Sequence, residues 1–222
     1  MKMFNKSVIG LAIACCFAVL PAAATTITVE SFTQSNPTTV HIASVTPPLT
    51  EFVYAGAFNT REGTRSFISW CADIFKGITL GETVTDYTLI DNAASLSRIG
   101  AIRSNALGIL ATQHLGQVNS AETAGAFQLA IWEILYESAD TGYNLSSGNF
   151  KAFGASDGSI GLAQSWLGSL TGANAFKVSI FESPTHQDLA VFTQVPEPAT
   201  LGLLALGLIG LGFAKRKGRN AA

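Results

Sequence analysis

Cysteine is scarce in this sequence, with three in 222 residues. Cys15 and Cys16 fall inside the apolar run that opens the chain, which leaves Cys71 as the single thiol of the part beyond it. A disulfide framework is thereby excluded. Histidine is as sparse: His41, His114 and His186 stand at no metal-ligand spacing, so neither a zinc site nor any other cofactor is expected. Charge is low, at 13% of residues, and cations are the rarer sign. Residues 25–194 hold seven Lys or Arg against fourteen acids, a formal charge of −7. A domain this acidic is unsuited to nucleic acid, whose binding rests on cationic contacts with phosphate. There is no internal repeat and no long low-complexity linker.

Apolar residues, by contrast, are concentrated at the two ends. Lys2 and Lys6 precede the run Val8 to Leu20, and Ala22-Ala23-Ala24 offers an A-x-A cleavage site. Residues 1–24 therefore read as a secretory signal peptide. Cys15 and Cys16 lie too deep in the run to suit a lipoprotein. At the other end stand Val195-Pro196-Glu197-Pro198-Ala199-Thr200, the apolar run Leu201 to Ala214, and the basic stop Lys215-Arg216-Lys217-Gly218-Arg219. Ala199 to Ala214 would give about 24 Å of helix, short for a hydrocarbon core about 30 Å thick but sufficient when flanking residues snorkel. The basic cluster should stay cytoplasmic.

Between the ends, residues 25–194 predict one α+β domain: a mainly β body with an inserted helical lobe. Thr26 to Phe32 alternates, Thr39 to Ile42 follows, and Glu51 to Phe58 has strand composition. Asn59 to Gly63 reads as a turn, and Thr64 to Trp70 as a strand leading into Cys71. Short strands are expected at Gly77 to Leu80 and Thr83 to Ile90. The period then switches to helical from Ala94 to His114, with Asn92 as N-cap and a break at Gly100 or Gly108. Asn119 and Ser120 cap a second helix reaching about Ser138, a loop spans Asp140 to Ser147, and Ser159 to Leu170 reads as a short helix ending at Gly172. Ala175 to Phe181 and Leu189 to Gln194 return to strand.

The second helix carries the feature around which a function can be argued. Gln128, Ile131, Trp132 and Leu135 fall at i, i+3, i+4 and i+7, which sets a carboxamide on the apolar face. Unpartnered, it would cost roughly 1–3 kcal/mol. The candidate partner is Cys71, held at a strand end. A thiolate can attack a glutamine carbonyl, expel ammonia and leave a thioester, provided the two are closely positioned and water is excluded. Trp132 and Phe127 would supply the cover. Asp73, two residues after the thiol, either tunes the site or caps a turn.

Two resemblances attach to these motifs. The tail, with Pro196-Glu197-Pro198, an apolar span over 199–214 and Lys215, Arg216, Lys217 and Arg219, resembles the PEP-CTERM sorting signal of Gram-negative bacteria. That resemblance implies an exosortase-type processing enzyme as partner, transient anchoring in the inner membrane, and a destination at the cell surface or in a biofilm matrix rich in exopolysaccharide. The alternative is an ordinary C-terminal anchor that happens to follow Pro-Glu-Pro. Phe127-Gln128-Leu129-Ala130-Ile131-Trp132 and Trp70-Cys71-Ala72 resemble the hydrophobic-Gln-x-x-hydrophobic-Trp and aromatic-Cys-hydrophobic patterns of bacterial thioester domains. In that family the Cys and Gln form an internal thioester, captured by an amine or hydroxyl of a partner. The resemblance implies that Cys71 and Gln128 are that pair, that Trp132, Phe127 and Trp70 shield the bond, and that an extracellular polysaccharide or protein supplies the nucleophile. This chain departs from the family in Trp70 and in the small Ala72.

Such a protein acts once and does not turn over, so it is not expected to be an enzyme. Two other classes stand beside it. One is a non-covalent structural or carbohydrate-binding matrix protein, with Cys71 merely buried and Trp166, Phe150 and Phe153 lining a groove or packing in a core. The other is a cysteine hydrolase or transferase with His114 as base and Asp73 as orienting acid, although no local signature of such enzymes surrounds Cys71.

Overall fold

The structure, a computed structural model, describes residues 24–137, 140 and 142–196. In chain order its elements are β1 (Ala24–Phe32), β2 (Thr38–Ser44), β3 (Leu49–Ala55), β4 (Ala57–Glu62), β5 (Arg65–Cys71), β6 (Thr83–Ile90), α1 (Gly100–His114), α2 (Ala121–Tyr136), β7 (Phe150–Phe153), α3 (Ser159–Leu167), β8 (Phe176–Glu182) and β9 (Leu189–Gln194). Six strands close into an antiparallel barrel in the order β1-β4-β5-β9-β8-β6, and β3-β2-β7 form a separate antiparallel sheet. Among the described residues the three α-helices lie between β6 and β8 in sequence, so the β body with inserted helices is what forms.

Alternation is clearest in one strand of the small sheet. In β2, Thr38, Val40, Ile42 and Ser44 are buried while the residues between them are only partly covered. The barrel seams differ in length. β4 and β5 pair from Ala57↔Trp70 to Glu62↔Arg65, whereas β5 and β9 meet only at Trp70↔Ala190 and Cys71↔Leu189. The rest of β5 diverges from β9, and Cys71 sits at the narrow closure.

The helix α2 begins with a capping box in which Ser120 accepts from the Thr123 N–H and the Thr123 hydroxyl accepts from the Ser120 N–H. Every residue from Ala124 to Leu135 is buried. An amphipathic helix with one covered face is therefore not what forms. α2 is a central helix packed against α1, α3, the small sheet, and β4 and β5 of the barrel. Its approach to the sheet is close: a Cβ added at Gly125 would stand 2.2 Å from the Thr38 hydroxyl.

Several expected boundaries are corrected. Glu51 to Phe58 is not one strand, because the chain changes sheet at Gly56 between β3 and β4. Asn59 to Gly63 is not a turn: β4 continues to Glu62, and the turn falls at Gly63, whose φ of +58° suits glycine. Gly77 to Leu80 forms no strand. Asn92 caps a 3-10 turn over Ala93–Ser95, not a helix, and α1 starts at Gly100. α3 ends at Leu167, short of Gly172. Phe150 packs in the core while Phe153 is exposed, and the two bound a strand that was not expected, β7, which pairs along β2. The expected signal peptide, apart from Ala24, and the expected span 199–214 with its basic stop lie outside the described residues. Among the described residues no helix is long and apolar enough to cross a membrane.

Candidate functional site

The last residue of β5 meets the middle of α2. The Cys71 N–H donates to Gln128 Oε1 at 2.9 Å, and Gln128 Nε2 donates to the Cys71 carbonyl at 2.9 Å. Cys71 is 2% exposed and Gln128 fully buried. The carboxamide thus extends the strand ladder as a peptide group would, occupying both backbone groups of the residue that bears the thiol. The partner expected for Gln128 on sequence grounds is the residue it touches.

The thiol donates to the Asp73 carbonyl at 3.1 Å. Burial drives the Cys71 pKa far above the ordinary thiol range, and the neighbouring Trp132 indole and the Asp73 backbone only partly oppose it. A standing thiolate is therefore disfavoured. Trp132 Nε1 is buried and has no oxygen or nitrogen acceptor, which leaves the sulfur as its polar neighbour. Trp70 and Phe127 pack together with ring centroids 4.6 Å apart, and Trp166 and Phe192 meet Phe127 edge-on. All three residues predicted as cover are buried at the pair.

Asp73 both caps a turn and anchors an ion pair. Its Oδ1 accepts from the Phe75 N–H at 2.8 Å, and its Oδ2 lies 3.0 Å from Lys76 Nζ. Lys76 also reaches Asp188 Oδ1 at 3.0 Å and the Ser183 carbonyl at 2.6 Å. Burial works against its charge, but the hydrogen bonds to Asp73 and Asp188 outweigh it and hold its pKa above the usual value. Arg98 closes the cluster on Asp188 at 2.8 Å. Tyr136 accepts from the Ile74 N–H at 3.1 Å, and Gln187 Nε2 donates to the Asp73 carbonyl at 3.1 Å. The turn after Cys71 is thereby tied to α2, α1's approach and the loop before β9. Lys76, Tyr136, Gln187 and Asp188 were not singled out by sequence reasoning. Only the i,i+3 spacing of Asp73 and Lys76 offers a local signal, and the loop 183–188 has none.

His114 does not join Cys71. It stacks on Trp166 at 4.6 Å and lies beside Gln117, while the thiol is committed to Asp73, so the base-thiol contact that a hydrolase needs is not formed. Among the described residues no group of three or more His, Cys, Asp or Glu could hold a metal ion.

Residues 194–217 match the PEP-CTERM protein-sorting motif. The chain carries a PEP-CTERM signal. Pro196, Glu197, Pro198, Lys215, Arg216 and Lys217 fall within the match, and Arg219 lies just past it. The PEP-CTERM signal indicates export and membrane-anchored sorting, and it implies processing by an exosortase-type enzyme. No curated protein matches the chain. Among solved structures, an N-terminal thioester domain of a surface protein from Clostridium perfringens, in a cysteine-to-alanine mutant, is similar at 13% identity and a TM-score of 0.45, covering 63% of this chain and 89% of that one.

Proposed function

We propose that this is a PEP-CTERM-sorted surface or matrix protein whose Cys71 and Gln128 condense into an internal thioester, which then couples the protein covalently to an amine or hydroxyl of an extracellular protein or polysaccharide. The observation that carries the reading is the reciprocal pair of hydrogen bonds between the Gln128 carboxamide and the Cys71 backbone, in a dry setting. The Cys71 N–H polarises the carbonyl that the sulfur must attack and is placed to stabilise the oxyanion. As the C–S bond forms and the C–N bond breaks, the thiol proton leaves with the departing nitrogen as ammonia, so no outside acid or base is consumed. Burial that penalises a thiolate favours this neutral product. The aromatic cover of Trp70, Phe127 and Trp132 then protects it from water. The protein would act once, with no turnover and no cofactor. Its domain organisation would be a signal peptide over 1–24, the thioester domain over 25–194 and the sorting tail from 195, with its span over 199–214.

A second reading has its own observation: the same two hydrogen bonds satisfy the Gln128 carboxamide on both sides, so it also serves as a strand-end clamp in a non-covalent matrix protein. Intact mass separates the two. A thioester makes the chain lighter by one ammonia, methylamine replaces that loss with its own mass, and both Cys71→Ala and Gln128→Ala remove the effect. A full mass for the untreated wild type, unchanged by methylamine, leaves only the clamp.

A further inference from the structure

A cleft of about 550 Å³ opens between the small sheet and the barrel mouth, and Trp132 lies in its lining. Phe32, Tyr54, Phe58 and Phe75 form aromatic walls, with Tyr54 57% exposed and Phe75 40% exposed. Two further features set this cleft apart. Its lining includes Trp132 and Gln187, whose Nε1 and Oε1 atoms are buried with no oxygen or nitrogen partner. Both residues border the thiol's surroundings, Trp132 beside the sulfur and Gln187 on the carbonyl that holds the thiol. A second hollow of about 630 Å³ reaches Trp70, but no such atom lines it, and its one charged residue, Arg65, is bridged to Glu62.

The charges in the first cleft are unequal. Lys76 is held by Asp73 and Asp188. Glu51, on the edge strand β3, has no ion pair or hydrogen bond among the described residues, so the cleft presents one uncompensated carboxylate among aromatic rings. Ring faces and a carboxylate attract the same ligand, a cationic head on an apolar stem.

We infer that this cleft is the entrance through which the acceptor reaches the Cys71–Gln128 pair, and that Glu51 is its specificity-determining residue, drawing in an alkylammonium ahead of a neutral hydroxyl. The inference rests on the thioester reading for its covalent step. The ammonium loses one proton to Glu51 or water, and the free amine attacks the Gln128 carbonyl carbon. An amide bond forms, the C–S bond breaks, and a second proton from the nitrogen restores the Cys71 thiol.

The test follows mass gain of the full chain with n-butylamine, glycerol and hydroxylamine, the last a small nucleophile that is neutral near pH 7. Butylamine should add and glycerol should not. Glu51→Gln should slow butylamine about fivefold while leaving hydroxylamine within about twofold. Equal slowing of both amines, slowing of neither, or equal capture of glycerol overturns the assignment. Saturable binding of n-butylammonium to Cys71→Ala, weakened about fivefold by adding Glu51→Gln, is expected whether or not a thioester forms, and its absence overturns the cleft independently. A wild-type chain that never loses ammonia, yet binds n-butylammonium in this Glu51-dependent way, would sink the thioester alone and keep the cleft.

Discussion

At Gln128 a single side chain closes two backbone hydrogen bonds of its neighbour, so its loss has two costs. Gln128→Ala leaves the Cys71 N–H and carbonyl buried without partners and opens a cavity. Denaturant unfolding should show a loss of roughly 3–5 kcal/mol relative to the wild-type chain carrying no thioester. Gln128→Glu keeps the acceptor but sets a carboxylate oxygen against the Cys71 carbonyl, and it should be milder at acid pH than at neutral pH. Glu133, five residues on, behaves in the opposite sense from most carboxylates. Burial pushes its pKa up to about 7, the Asn144 N–H opposes this, and the Glu137 charge adds to it. Since the folded value exceeds the ordinary carboxyl value of 4.5, protonation stabilises the fold. That contribution is complete below about pH 4.5 and is lost as pH rises through 7. Glu133→Gln should accordingly raise the melting temperature at pH 8, by roughly 2 kcal/mol of stability, with the gain vanishing near pH 4. The sequence made the Cys71–Gln128 pair legible because both are unusual in their local settings. Glu133 was not legible, because a glutamate one residue from Trp132 reads as the solvent side of a helix, and only tertiary packing puts it inside.

Packing around α2 decides what its residues tolerate. Gly125→Ala would ordinarily strengthen a helix by about 1 kcal/mol. Here the added methyl meets the Thr38 hydroxyl, itself bonded to Asp157 at 2.6 Å. Helix and β2 must separate, and the expected net result is a loss of about 1–2 kcal/mol in thermal unfolding. The same crowding explains which elements the sequence disclosed. β1, β5, β6, β8 and β9 were legible because runs of strand-forming residues stand between turn signals, and α2 because its cap and length are unmistakable. β7 was missed because four residues supply too little alternation to separate a strand from a loop. The change of sheet at Gly56 was missed because strand composition runs unbroken from Glu51 to Phe58, and only the pairing partners differ on its two sides.

Across the whole molecule, Cys71 and Gln128 stand 57 positions apart, one in the barrel and one in the central helix. A covalent link between them would restrict the unfolded chain much as a disulfide does, by about 4 kcal/mol for a loop of that length. For a domain of this size that corresponds to roughly 10 °C. Calorimetry should therefore find the methylamine-opened chain, or Cys71→Ala, melting about that much lower than untreated protein, and a difference within error would argue that no link is present. One feature of the barrel bears on how such a protein would respond to tension. β9 is the last strand before the sorting segment, and at Leu189 it holds Cys71 through the two-pair seam. Traction on an anchored tail would enter β9 at Gln194 and run along its six-pair seam with β8 before it came to the two-pair seam at the strand's far end, so a pull from the membrane side would have to strip the last barrel strand before it strained the residue proposed to hold the outside world.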